Sequence, residues 1–357
     1  MKNSSDIKSM MGYFKNLDEK VVAYNEEAIF SEYEKQNNTQ SLPIKILSIF
    51  GGLLACLAFL GFLFIAGLYN SQEGLLITGI VFIIGSIALN STYDRIIIDT
   101  IGVSSYVIGF TLIWMSLESM RIEESTIQIL FIFIGITTLV LVQNYILSFA
   151  AILITNLSFL ALLLSDNNYD IIHLYTSILA IILSYVMLNE AKLITKSKKL
   201  SKLYDPIRIG FIFSFLIGLI FIGKKGMLKL SPEYIWISSV VFIIILVYMT
   251  ISLLEILNVK TIQYKVVIYV FTILILASTI LSPAISGSIL VILLSFKVNY
   301  KTGLTIGIIA FIYFVGQYYY DLNFTLLTKS IMMFSTGVLF LSFYLFAHKN
   351  LTENEKV

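Results

Sequence analysis

Residues 46–69 read ILSIFGGLLACLAFLGFLFIAGLY, without one charged side chain. A helix rises about 1.5 Å per residue, so this run covers the roughly 30 Å hydrocarbon core of a bilayer. Comparable apolar runs follow at 75–90, 96–117, 126–142, 145–164, 171–188, 207–222, 234–257, 266–281, 284–296, 302–318 and 330–347. No charge lies at the middle of any of them. The expected fold is therefore all-α, a polytopic transmembrane bundle of about 12 spans. The run 284–296 is the weakest, because about 20 Å of helix suits a half-crossing held inside the bundle as well as a full one.

Composition points the same way. Hydrophobic residues make up 58% of the 357 positions and charged ones 13%, and the mean hydropathy is +0.89. A soluble domain is nearer 45–50% apolar, so lipid is the expected solvent. The net charge of +2 carries no information as a total, because the charges separate by membrane side, and nucleic acid is not an expected partner. The single cysteine, Cys56, lies inside the first run and allows no intrachain disulfide.

The basic residues set the orientation. With the N-terminus in the cytosol and every run crossing, the outer side holds only Arg121, Lys224, Lys225, Lys229 and Lys329, and every other Lys and Arg falls inside. That asymmetry obeys the positive-inside rule and predicts cytosolic termini. A hydrophilic stretch of about forty residues precedes the first run, which makes that run a retained helix and not a cleaved signal. Three segments result: a cytosolic amphipathic segment at 1–43, a transmembrane helical domain at 44–349 and a cytosolic tail at 350–357. In the first, Ile7, Met10, Phe14, Leu17, Val21, Tyr24 and Ala28 alternate three and four apart, a heptad-like stripe suited to a membrane surface or a partner helix.

Catalytic patterns are missing. HExxH, GxSxG, a Walker loop and GxGxxG do not occur, and the two histidines are His173 and His348. Neither an enzyme nor a cofactor is expected. His173, near Asp166 and Asp170, reads as a side chain snorkelling to the outer headgroups, with a proton or metal role as the sharper alternative. Asp94, Arg95 and Asp99 cluster where the third run begins. Arg95 and Asp99 are four apart and suit a cytosolic gate pair, or a plain orientation signal. Asn156 is the polar group nearest a midplane and marks either a pathway or a helix-to-helix hydrogen bond. Small residues at Gly210, Ser214 and Gly218, and at Gly303 and Gly307, predict close helix packing.

The most distinctive local sequence is 317–337, QYYYDLNFTLLTKSIMMFSTG. It places Tyr318, Tyr319, Tyr320 and Asp321 before Lys329 at the outer mouth of the last hairpin. An Asp321–Lys329 ion pair across the turn is expected there, with the tyrosines as an amphipathic belt. Tyr319, Tyr320, Leu322, Thr325, Leu326, Leu327, Lys329, Ser330 and Gly337 fit a YY-x-L to TLL-x-KS signature. On that signature the chain resembles an uncharacterised bacterial membrane-protein family, the domain of unknown function 4401, related to the 2157 family. The resemblance brings no activity. It implies a small membrane-anchored partner carrying a GDYxxLxY motif, which this sequence lacks.

The expected function is that of a non-enzymatic protein of the bacterial inner membrane. It assembles with an envelope partner through Tyr318, Tyr319, Tyr320, Asp321 and Lys329. The alternative is a secondary transporter or lipid flippase without a midplane carboxylate, using Asn156, Asp94, Arg95 and Asp99 as pathway or gate.

Overall fold

A computed structural model describes residues 42–92, 96–256, 262–277 and 279–321, with isolated positions between 325 and 345. The heptad-like stripe, Asp94, Arg95 and Lys329 lie outside the described residues. The chain divides into two units, Met1–Gly51 and Gly52–Val357. The geometry below concerns the second unit.

The described residues form α1 (Leu42–Ile65), α2 (Gln72–Thr92), α3 (Ile96–Ser119), α4 (Glu124–Leu141), α5 (Tyr145–Leu164), α6 (Ile171–Leu188), α7 (Glu190–Lys196), α8 (Lys198–Gly223), α9 (Ile235–Ile256), α10 (Ile262–Ala277), α11 (Pro283–Lys297) and α12 (Lys301–Asp321). Every predicted run from 46–69 to 302–318 coincides with one of these helices. The run 330–347 falls where only isolated positions are described. Eight of the helices are long and apolar enough to cross a membrane, while α10 and α11 are shorter.

Local chemistry fixes the ends. Asn144 caps α5, its side-chain oxygen accepting from the Ile146 and Leu147 amides at 2.9 and 3.2 Å. Ser197 does the same for α8 through the Leu200 amide. Pro283 opens α11 at a position where a missing amide hydrogen costs nothing. After α8 the chain reverses through Gly226, whose φ of 87° suits glycine.

Two large apolar cores, and a smaller one around Leu75, Ile108 and Leu112, occur among the described residues of the second unit. One joins α2 to α5 through an aromatic chain, Tyr106 to Phe110 at 4.9 Å and Phe110 to Phe131 at 4.8 Å, both edge-on. The other surrounds α6, α8, α9 and α11, where Leu183, Phe215, Leu219, Phe242, Leu246 and Leu290 are fully buried. Glycines let helix backbones approach. A methyl at Gly79 would stand 2.9 Å from the Gly109 carbonyl oxygen, and one at Gly109 would stand 2.9 Å from that of Gly79. The predicted ladders pack likewise: Gly210 faces Ile152, Gly218 faces Thr176, and Gly303 and Gly307 face Ser295 and Ile292 of α11.

The short helix α11 lies along the C-terminal part of α8. A methyl at Gly223 would meet Ala284 at 2.8 Å, and just beyond the other end of α11 the Tyr300 ring stacks on Arg208. About fifteen residues of each helix, some 22 Å, therefore run alongside each other in opposite directions. Residues 284–296 thus form a short helix lying antiparallel beside the apolar part of α8.

Candidate functional site

At the Tyr-rich end of α12, the last turn is held in place. Gln317 donates to the Asp321 carboxylate at 3.1 Å, and Lys225, from the turn after α8, donates to the Asp321 carbonyl at 2.9 Å. The side chain of Tyr320 is 83% exposed and that of Tyr318 partly exposed. Tyr319 is half-buried between them in sequence. A small cavity of about 120 Å³ opens beside this turn, with Lys225, Ser282, Pro283, Phe314, Tyr318 and Asp321 in its wall. Lys225 is the basic residue that the structure brings to Asp321. Sequence spacing points instead to Lys329, which lies outside the described residues.

The opposite end of α8 carries most of the charge. Arg208 is buried, donates to Asp205 at 2.5 Å and lies 3.6 Å from Glu190. Its guanidinium carbon sits 3.7 Å from the centre of the Tyr300 ring and 5.0 Å from that of Tyr204. A planar cation over an aromatic face is attracted to the ring quadrupole, and Arg suits this better than Lys because its fork still reaches carboxylates. Burial pushes the Tyr300 phenol up, opposed by the neighbouring guanidinium. Three segments meet on this one side chain: the start of α7, the preceding turn of α8 and the loop before α12. In the sequence Arg208 stands out only as one inner basic residue among many. The Asp205 spacing of three was its one local signal.

Near this end lies a polar recess of about 320 Å³, lined by Asn90, Ser91, Thr92, Gln143, Asn144 and Lys202. Asp99 stands behind it, its carboxylate accepting from Asn144 at 2.7 Å. The same asparagine that caps α5 thus also anchors the first turn of α3. Lys199 donates to the Val140 carbonyl at the end of α4. Arg95, the expected mate of Asp99, lies outside the described residues.

Asn156 is half-buried, and its amide nitrogen donates to the Ile152 carbonyl of its own helix at 2.9 Å. The bond between helices at this point uses its backbone carbonyl, which accepts from the Tyr175 hydroxyl at 3.2 Å. Both residues line a groove of about 340 Å³ between α5, α6 and α8.

His173 corrects the snorkelling expectation. The ring is 1% exposed, and Nδ1 lies 3.0 Å from the Ser238 hydroxyl. Asp170 is held by the Ser231 amide at 2.8 Å and the Ser231 hydroxyl at 2.6 Å. The two residues tie the start of α6 to the start of α9, which sequence distance concealed. No cluster of three or more His, Cys, Asp or Glu suited to a metal occurs among the described residues.

Comparison with known proteins gives one match. The model of a family described as a domain of unknown function, DUF4401, covers residues 41–349. Nothing matches among curated proteins or solved structures.

Proposed function

The chain belongs to the DUF4401 family, and from that premise we propose that it is a non-enzymatic, multi-pass protein of the bacterial inner membrane that assembles with a small membrane-anchored partner through the outer end of α12. In this reading the lysine-rich end of α8 faces the cytosol, as do both termini, in keeping with the positive-inside rule. The observation that carries the reading is the fixed last turn of α12, which Lys225 and Gln317 hold while Tyr320 projects. An exposed tyrosine on a hydrogen-bonded turn offers a large amphipathic contact.

Packing supports assembly over transport. Leu183, Leu219, Leu246 and Leu290 and the edge-on pair of Phe215 and Phe242 at 5.3 Å fill the core among α6, α8, α9 and α11. The polar recess is bounded by residues in helix ends and loops, so it belongs to one face.

Crosslinking in whole membranes followed by co-purification tests the reading. Tyr320→Ala is expected to remove a small anchored protein from the crosslinked set while the chain itself accumulates normally. An unchanged set of companions would contradict the proposal.

A further inference from the structure

The connection from α6 into α8 is densely basic. From Glu190 to Arg208 it holds six basic residues and two acidic ones, and both carboxylates, Glu190 and Asp205, lie against Arg208. Lys192, Lys196, Lys198, Lys199 and Lys202 therefore have no carboxylate partner among the described residues. Orientation in a membrane accounts for such a run wherever its lysines point. It does not account for where Lys202 is placed.

Lys202 stands in the wall of the polar recess of about 320 Å³, where the ends of α2 and α4, the loop before α5 and the first turns of α8 meet. Lys199, one turn earlier, donates to the Val140 carbonyl and ties α8 to the end of α4. The Ser91 and Thr92 hydroxyls donate to the Ala88 carbonyl of their own helix. The side chains of Lys202 and Gln143 have no partner among the described residues, so both bring N–H donors to the recess that nothing there uses. Asp99 is buried behind Asn144, which leaves the exposed Lys202 as the charge that the described wall presents. Beside this charge the wall turns apolar. Leu141 is 57% exposed and its neighbour Val140 58%, at the end of a helix long and apolar enough to cross a membrane. A cation over exposed aliphatic side chains fits an amphiphile with an anionic head and acyl tails, whereas a soluble phosphate has no use for the aliphatic border.

We propose that this recess binds the headgroup of an anionic phospholipid, with Lys202 and Gln143 donating to the phosphate oxygens and the acyl chains lying along the exposed aliphatic end of α4. The remaining lysines of the connection supply the surrounding field that concentrates anionic lipid at the recess. The inference uses the membrane setting of the functional reading but not the partner.

The test uses the full chain in non-ionic micelles holding equal amounts of phosphatidylglycerol and phosphatidylcholine with the same acyl chains, and counts the retained lipids by native mass spectrometry. Wild-type protein is expected to retain phosphatidylglycerol several-fold over phosphatidylcholine. Lys202→Gln is expected to lose most of that preference. Lys192→Gln, which removes the same charge outside the recess, is expected to keep most of it. Equal retention of the two lipids by the wild-type chain would overturn the proposal and leave the lysines as an orientation signal. Equal losses in the two variants would overturn the assignment to the recess and leave a diffuse attraction to a charged surface. Glycerol phosphate added at the lipid concentration is expected to leave the bound lipid in place, and its displacement of that lipid would overturn the lipid in favour of a soluble phosphate. Because the wild-type comparison alone is decisive, a folding defect in a variant does not shelter the idea. Loss of the α12 partner leaves this result untouched, so the two proposals fail separately.

Discussion

Arg208 concentrates several interactions in one side chain, and their weights separate by substitution. Its carboxylate partners are partly wet, Asp205 at 61% and Glu190 at 37% side-chain exposure, so Coulomb attraction to them is screened. The Tyr300 ring, pressed against the guanidinium, is less replaceable. Tyr300→Phe keeps the ring face and is expected to leave stability almost unchanged, whereas Tyr300→Leu costs about 1 kcal/mol by thermal unfolding in detergent. Equal losses in both variants would point to the hydroxyl instead. The raised phenol adds a pH signature. An unfolded tyrosine ionises near 10.0, so stability from this site is complete below that pH and falls as pH rises beyond it. Wild-type protein is expected to lose more than Tyr300→Phe in that alkaline window.

Among the elements, α2 and α3 cross most tightly. Gly79 and Gly109 each meet the other's backbone carbonyl, where no rotamer change makes room. Gly79→Ala is therefore expected to destabilise by about 1–3 kcal/mol. A methyl at Gly85, on the same helix, would have nothing within 4 Å, and Gly85→Ala is expected to be neutral or to gain up to about 1 kcal/mol. Parallel unfolding measurements on the two variants check the contrast, and similar values would refute the crossing. The sequence announced the helices because an uncharged run of sufficient length has few other fates in lipid. It announced Gly210 and Gly218 through their spacing on one helix. It did not announce Gly79 with Gly109, because the match between them exists only once two helices are set side by side. Asn144 was invisible for the same reason: capping a helix is a local role, but holding Asp99 is not.

For the molecule as a whole, three helices anchored at both levels define the frame. Arg208 and Tyr300 mark one end of the stretch that α8 shares with α11 and α12, while Gly223 with Ala284 and Lys225 with Asp321 mark the other. Charge counting alone distinguishes these ends in the sequence and carries the orientation proposed above, whereas the Arg208 cluster left almost no signal there. The orientation is open to one direct measurement. In a Cys56→Ser background, single cysteines at Lys198→Cys and Lys224→Cys report the two ends of α8 to a membrane-impermeant maleimide. The account predicts that intact cells label the Lys224→Cys protein and that the Lys198→Cys protein is labelled only after permeabilisation. Labelling of Lys198→Cys in intact cells would contradict it.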